Sequence, residues 1–161
     1  MNKRWLDNSI GRLVGMTSRA IHNRLSRDLE ASGFDLSAEQ WIVLANIDRY
    51  EGHCQQFLAD FCGKEKTSIT RLLDTMESRG FIRRESASDD RRRNMVYLTE
   101  QGQKLLAKVR PTVEKTLGLA VEGVERTDFE VCKRVLMQVY GNVLGVGVEP
   151  PDGDRESTLT R

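Results

Sequence analysis

The 161-residue chain has no apolar run approaching the about 18 to 20 residues that a membrane span requires, so no membrane partner is expected. It is equally short of the features of a disordered tail, because 39% of its residues are hydrophobic. Asp7 stands where a secretory signal needs an uninterrupted apolar core, and the expected location is therefore cytoplasmic. Cysteine is scarce and odd in number, three residues in all, which argues against a disulfide framework. There is no phosphate-binding glycine loop, no HExxH and no GxSxG, so catalysis is not expected. His22, His53 and Cys54 with scattered carboxylates have no metal-ligand spacing, and the sequence implies no metal and no cofactor. Charge of one sign is also missing. The 25 Lys+Arg against 24 Asp+Glu leave a net charge of +1 and a pI near 7.7, short of the pI above about 9 of an overtly basic nucleic-acid binder. Any nucleic-acid role must come from where the charges sit.

What is present reads mainly as helix. Ile10, Leu13, Val14, Ile21, Leu25 and Leu29 fall on one helical face before Gly33 interrupts. Ser37-Ala38-Glu39-Gln40 has the form of a capping box, and Trp41, Leu44 and Ile47 follow as the stripe of a second helix. Phe57, Leu58 and Phe61 mark a short third helix of two to three turns, ending at Cys62-Gly63. In the fourth, from Lys66 to Arg79, the buried stripe is Ile69, Leu72, Leu73 and Met76, and Thr67, Thr70, Arg71 and Asp74 face away from it. Gly80 closes it as a left-handed cap.

The period then changes. Phe81–Glu85 and Asn94–Thr99 read as strands around the polar stretch Ser86 to Arg93, which makes a hairpin. Thr99 is placed to cap a fifth helix with the stripe Leu105, Leu106, Val109, Val113, Leu117, Ala120, Val121 and Val124, and Pro111 is expected to kink it or to be tolerated near a bend. Thr127-Asp128-Phe129-Glu130 reads as a second capping box, opening a last helix lined by Cys132, Val135, Leu136, Val139 and Val143. The expected fold is mainly α (α+β): a winged helix-turn-helix core at 36–99, an N-terminal dimerisation helix within 1–35, C-terminal dimerisation helices within 100–147 and a disordered tail at 148–161. The flanking helices carry more apolar surface than the core can cover, which points to a homodimer.

A helix, a tight turn at Gly63, a helix with a polar face and a hairpin form a helix-turn-helix with a wing. In that geometry the second helix enters the DNA major groove leading with its N-terminal residues. The candidates on it are Lys66, Thr67, Ser68, Thr70 and Arg71, since Ser and Thr bond phosphates or base edges and Arg pairs with guanine. From Arg79 to Arg93 there are six arginines against Glu85, Asp89 and Asp90, an excess of three positive charges. Arg91, Arg92 and Arg93 at the loop tip suit the enhanced negative potential of a narrow minor groove, with Asp90 bonding a neighbouring Arg or the loop backbone to fix the tip.

Residues 67–84, then Asp89-Asp90-Arg91-Arg92-Arg93, then Tyr97-Leu98-Thr99-Glu100-Gln101-Gly102 closely resemble the winged-helix core of MarR-family transcriptional regulators. Residues 36–44 with Leu58-Ala59 resemble the family's second and third helices. The resemblance implies a homodimer on a double-stranded, pseudo-palindromic DNA operator, usually a repressor, released by a small aromatic or phenolic ligand in the cleft between the dimer helices and the winged helix. It places Thr67, Ser68, Thr70 and Arg71 at the recognition positions, Arg92 at the wing arginine and Asp90 at the acid that orients it. Two departures stand out: Lys64, where an apolar residue is usual, and Cys54, where Thr is usual.

Two other readings remain. A thiol-based redox-sensing regulator would use Cys54, Cys62 or Cys132, but the chain has no Cys before position 54, where the family's peroxide sensors carry theirs in the first helix. A winged helix serving only as a protein-interaction module is allowed by the fold, yet has no particular need for three consecutive arginines at the wing tip.

Overall fold

The computed structural model describes residues 9–50, 52–86 and 94–145. It divides into two compact units, Met1–Ala120 and Val121–Arg161. In the first unit the helices are α1 (Ile10–Ala31), α2 (Ala38–Arg49), α3 (Gln55–Phe61), α4 (Lys66–Ser78) and α5 (Glu100–Ala120), and the strands are β1 (His53–Cys54), β2 (Ile82–Ser86) and β3 (Asn94–Leu98). This is the mainly helical winged helix-turn-helix architecture expected from the sequence.

The local signals act as their chemistry requires. At the start of α2 the Gln40 amide N–H donates to Ser37 Oγ at 3.1 Å and the Ser37 N–H donates to Gln40 Oε1 at 3.0 Å, so both halves of the capping box are made. Gly80, with φ 72°, turns the chain out of α4 where a side chain would be strained. α5 runs unbroken across Pro111. The strands form an antiparallel sheet in the order β1-β3-β2. Ile82 pairs with Leu98 and Ser86 with Asn94 in the hairpin, while His53 and Cys54 pair with Val96 and Met95. β1 has no counterpart in the sequence reading, because two residues are too few to show an alternation.

One apolar cluster holds the unit together. Leu25 and Leu29 of α1, Val43, Leu44 and Ile47 of α2, Leu58 of α3 and Ile69, Leu73 and Met76 of α4 meet Ile82 and Val96 of the sheet and Val109 and Val113 of α5. α5 is docked on the turn after α4 by Thr99, whose hydroxyl donates to the Gly80 carbonyl at 2.6 Å and accepts from the Gly102 N–H at 3.1 Å. Gly102 permits this approach, since a Cβ there would lie 2.1 Å from the Phe81 carbonyl oxygen. The long helix is thus fastened to the end of the helix-turn-helix.

The second unit contains α6 (Arg126–Leu144). The expected capping box at Thr127 is not formed: the N-cap is Glu125, without a side-chain cap bond. Gly123, at φ 77°, turns the chain early, so that Thr127 falls inside the first helical turn. The tail expected at 148–161 lies outside the described residues.

Candidate nucleic-acid interface

The helix-turn-helix is built by α3 and α4, joined through Gly63 at φ 58°. Ile69, Leu73 and Met76 are fully buried and Leu72 packs beside them, which fixes the rotation of α4 about its axis. Lys66, Thr67, Ser68 and Arg71 are consequently exposed, and Thr70 is half-buried. Among the described residues the Arg71 guanidinium and the Thr67 and Ser68 hydroxyls have no hydrogen-bond or ion-pair partner. Thr70 differs, because its hydroxyl donates to the Lys66 carbonyl at 2.7 Å and accepts from Gln55 Nε2. Sequence reasoning passed over Gln55, and only the tertiary contact identifies it.

The wing candidates Asp90, Arg91, Arg92 and Arg93 lie outside the described residues. The three arginines that lead to them are described, and they are committed within the protein. Arg79 reaches back to Asp35 in the α1–α2 loop, bonding its carbonyl and pairing with its carboxylate at 3.1 Å, with the guanidinium 4.8 Å over the Phe81 ring. Arg84 pairs with Asp74 and with Glu77 at 3.4 Å, two carboxylates of α4, and is only 17% exposed. Arg83 pairs with Glu85 and stacks 4.5 Å over Tyr97. Arg84 clamps the hairpin to α4, Arg79 ties the end of α4 to the α1–α2 loop, and Arg83 is held within the hairpin. The positive excess counted along the sequence is therefore offset in space by Asp35, Asp74 and Glu77, carboxylates that lie outside the stretch counted. The signal was present as Asp74 and Glu77 one turn apart on α4, but the return of Arg84 on β2 across the Gly80 turn was not.

A cleft of about 500 Å³ separates α1 from the winged helix, lined by Arg19, His22, Asn23 and Ser26 of α1, the start of α2, and Cys62 and Lys64 of the α3–α4 turn. Lys64 is one of the two departures from the family pattern, and it bonds Glu39 of α2 at 2.9 Å on the winged-helix side of this cleft. Burial pushes the Cys62 thiol up, with Lys64 offsetting part of that rise, which disfavours the thiolate needed for oxidative sensing. Cys54 is half-buried and Cys132 exposed. Among the described residues no group of three or more His, Cys, Asp or Glu is placed to hold a metal ion, and no helix is long and apolar enough to cross a membrane.

A helix-turn-helix carried on an antiparallel hairpin and capped by a long fifth helix defines a winged-helix protein. Residues 36–93 match the model of the MarR family. Solved structures agree in fold. The transcriptional regulator PA3341 is 29% identical, with a TM-score of 0.74 covering 85% of this chain and 99% of its own. A cysteine-to-serine mutant of MarR from E. coli, complexed with operator DNA, is 21% identical with a TM-score of 0.75, covering 86% of this chain and 99% of its own. AbsC, a MarR-family transcriptional regulator from Streptomyces coelicolor, is 23% identical with a TM-score of 0.73, covering 83% and 91%.

Proposed function

We propose that this protein is a transcriptional regulator that binds an operator as a homodimer, with α4 in the major groove and the wing in the flanking minor groove, and that it represses until a small ligand releases it. The observation that carries the reading is the pattern of commitment on α4 and the hairpin. Arg79, Arg83 and Arg84 are spent on internal clamps, while Lys66, Thr67, Ser68 and Arg71 face outward. A helix held this firmly by its buried stripe and its salt bridges presents a preorganised polar face, as base reading requires. Arg91, Arg92 and Arg93 are the wing contacts in this reading and Asp90 their orienting acid. The MarR of E. coli, crystallised with operator DNA, supports the docking by its shared fold.

The homodimer is supported by apolar side chains left in the open. In α1, Leu13 is 54% and Met16 48% exposed, and in α6 Val135 is 46% and Val143 78% exposed. Large apolar side chains left exposed along a helix in this way favour an interface. The cleft between α1 and the winged helix, with Arg19, His22 and Lys64 on its walls, is the place for a small aromatic or phenolic ligand. The protein acts by binding, and no residue is assigned a catalytic role.

The test is recovery of bound fragments from the native genome by the full-length chain. Recovery of a shared pseudo-palindromic site, bound by the wild type and weakened with a shallower salt dependence in Arg92→Ala, is the expected result. Recovery of unrelated fragments at equal affinity would defeat the reading, and unchanged affinity and salt slope in Arg92→Ala would remove the wing contact from it.

A further inference from the structure

We propose that Gln55 is a positioning residue for sequence readout: its amide holds Thr70 of α4 as a fixed hydrogen-bond acceptor, and so determines which base edge Thr70 meets. The inference rests on α4 being the reading helix. Gln55 is the first residue of α3 and follows Cys54, which pairs with Met95 of the wing strand β3. Its backbone is therefore tied to the sheet from which the wing springs. From that anchor its side chain crosses to α4 and donates from Nε2 to Thr70 Oγ1.

The orientation of the amide follows from Thr70 itself. The Thr70 hydroxyl proton is given to the Lys66 carbonyl at 2.7 Å, so toward Gln55 the oxygen can only accept, and the amide must present its N–H. A hydroxyl has one proton and two lone pairs. With the proton and one lone pair engaged, Thr70 keeps one lone pair and its methyl group. It cannot donate to a phosphate or to a purine N7. It can accept from the exocyclic amine of adenine or cytosine, or lie against a thymine methyl. Thr67 and Ser68, exposed and without partners among the described residues, remain free to donate or accept and so discriminate less. Gln55 thus turns one adaptable hydroxyl into a group with a single polarity, and references it to the wing.

The test uses the full-length chain on an operator fragment selected from genomic DNA, together with fragments in which each base pair is replaced in turn. If the wild type shows no preference among these fragments, the reading of α4 fails and the role of Gln55 fails with it. Where the wild type does discriminate, Gln55→Ala should lose about tenfold of the preference at one base pair per half-site and leave the others within about twofold. Thr70→Val, which keeps the side-chain shape without the hydroxyl, should lose the same preference at the same base pair, and the double variant should lose no more than either. The proposal is overturned if Gln55→Ala keeps the wild-type preference, if the two variants act at different base pairs, or if their losses multiply. Should Gln55→Ala fail to fold by circular dichroism, Thr70→Val decides alone, because it leaves α3 intact. Unchanged preference at every base pair then overturns the proposal.

Discussion

The winged-helix core and α6 treat the same kind of residue in opposite ways. In the core Val43, Leu44, Ile69, Leu73 and Val96 are each 0% exposed, whereas in α6 Phe129, Val131, Val135, Leu136 and Tyr140 lie between 38% and 47% exposed. Both segments have a helical apolar stripe, so periodicity alone does not separate them. The core encloses its stripe within one chain. The stripe of α6 is built to the same pattern but is left for something outside it, and burying apolar area at about 25 cal/mol per Å² gives a second copy of the chain ample reason to cover it.

The most damaging way to break this contrast is to charge the open stripe. Val135→Asp with Leu136→Asp alters two exposed positions, so helix content and the core should persist, while the mass in light scattering should fall to that of a single 18.3 kDa chain. Loss of the second half-site contact should weaken operator binding by about 100-fold or more, because linked sites gain about 10² to 10⁴ over one. A wild-type chain that already runs at 18.3 kDa at micromolar concentration would instead show that the stripe serves another purpose.

The core is broken more locally. In Gly102→Ala the new methyl carbon would fall 2.1 Å from the Phe81 carbonyl oxygen, a backbone atom that cannot turn aside. α5 would have to lift from the turn that Thr99 holds, at an expected loss of about 3 kcal/mol in urea unfolding. Gly118→Ala is the control, since no atom lies within 4 Å of a Cβ there, and it should be neutral or slightly stabilising by helix propensity. Equal behaviour of the two variants would mean that the docking of α5 on the Phe81 turn is not tight.

Most of this architecture could be read in the sequence, and the exceptions have a common cause. The capping box at Ser37, the buried stripe of α4 and the left-handed Gly80 are encoded within one turn of chain, where spacing and propensity suffice. β1 has no sequence signal because two residues show no alternation and its partner Val96 is far along the chain, and the cap expected at Thr127 is displaced because Gly123 bends the backbone before it. In the candidate site the exposed face of α4 was legible for the same local reason. The fates of the arginines were not. A count along the chain treats Arg79 and Arg84 as available charge, whereas their partners Asp35, Asp74 and Glu77 are supplied by other elements. The link from Gln55 to Thr70 joins two helices, and no periodicity marks it.

The smallest expected effect concerns the polar tie between α1 and α5, which accompanies the apolar contacts of Leu25 and Leu29 with Val109 and Val113. Thr116, only 2% exposed, donates its hydroxyl to Asp28 Oδ2 at 2.7 Å, and Arg24 donates to the same carboxylate at 2.9 Å. The Thr116 hydroxyl, opposed by partial desolvation and aided by Arg24 and Arg27, holds the Asp28 carboxyl below its ordinary value of 3.8. The sign follows directly: the folded carboxyl gives up its proton more readily than the unfolded one, so its contribution is present above that ordinary value and is lost as the pH falls through the lower, folded value. Asp28→Asn keeps the shape and removes the charge. The variant should be less stable than the wild type near neutrality, and the gap in melting temperature should close in acid, because only the wild type then loses an ionised acceptor. Melts of both proteins from about pH 7 down to about pH 3 would check this. No gap, or a gap that stays constant over the whole range, would show that ionisation of Asp28 contributes nothing to the tie between α1 and α5.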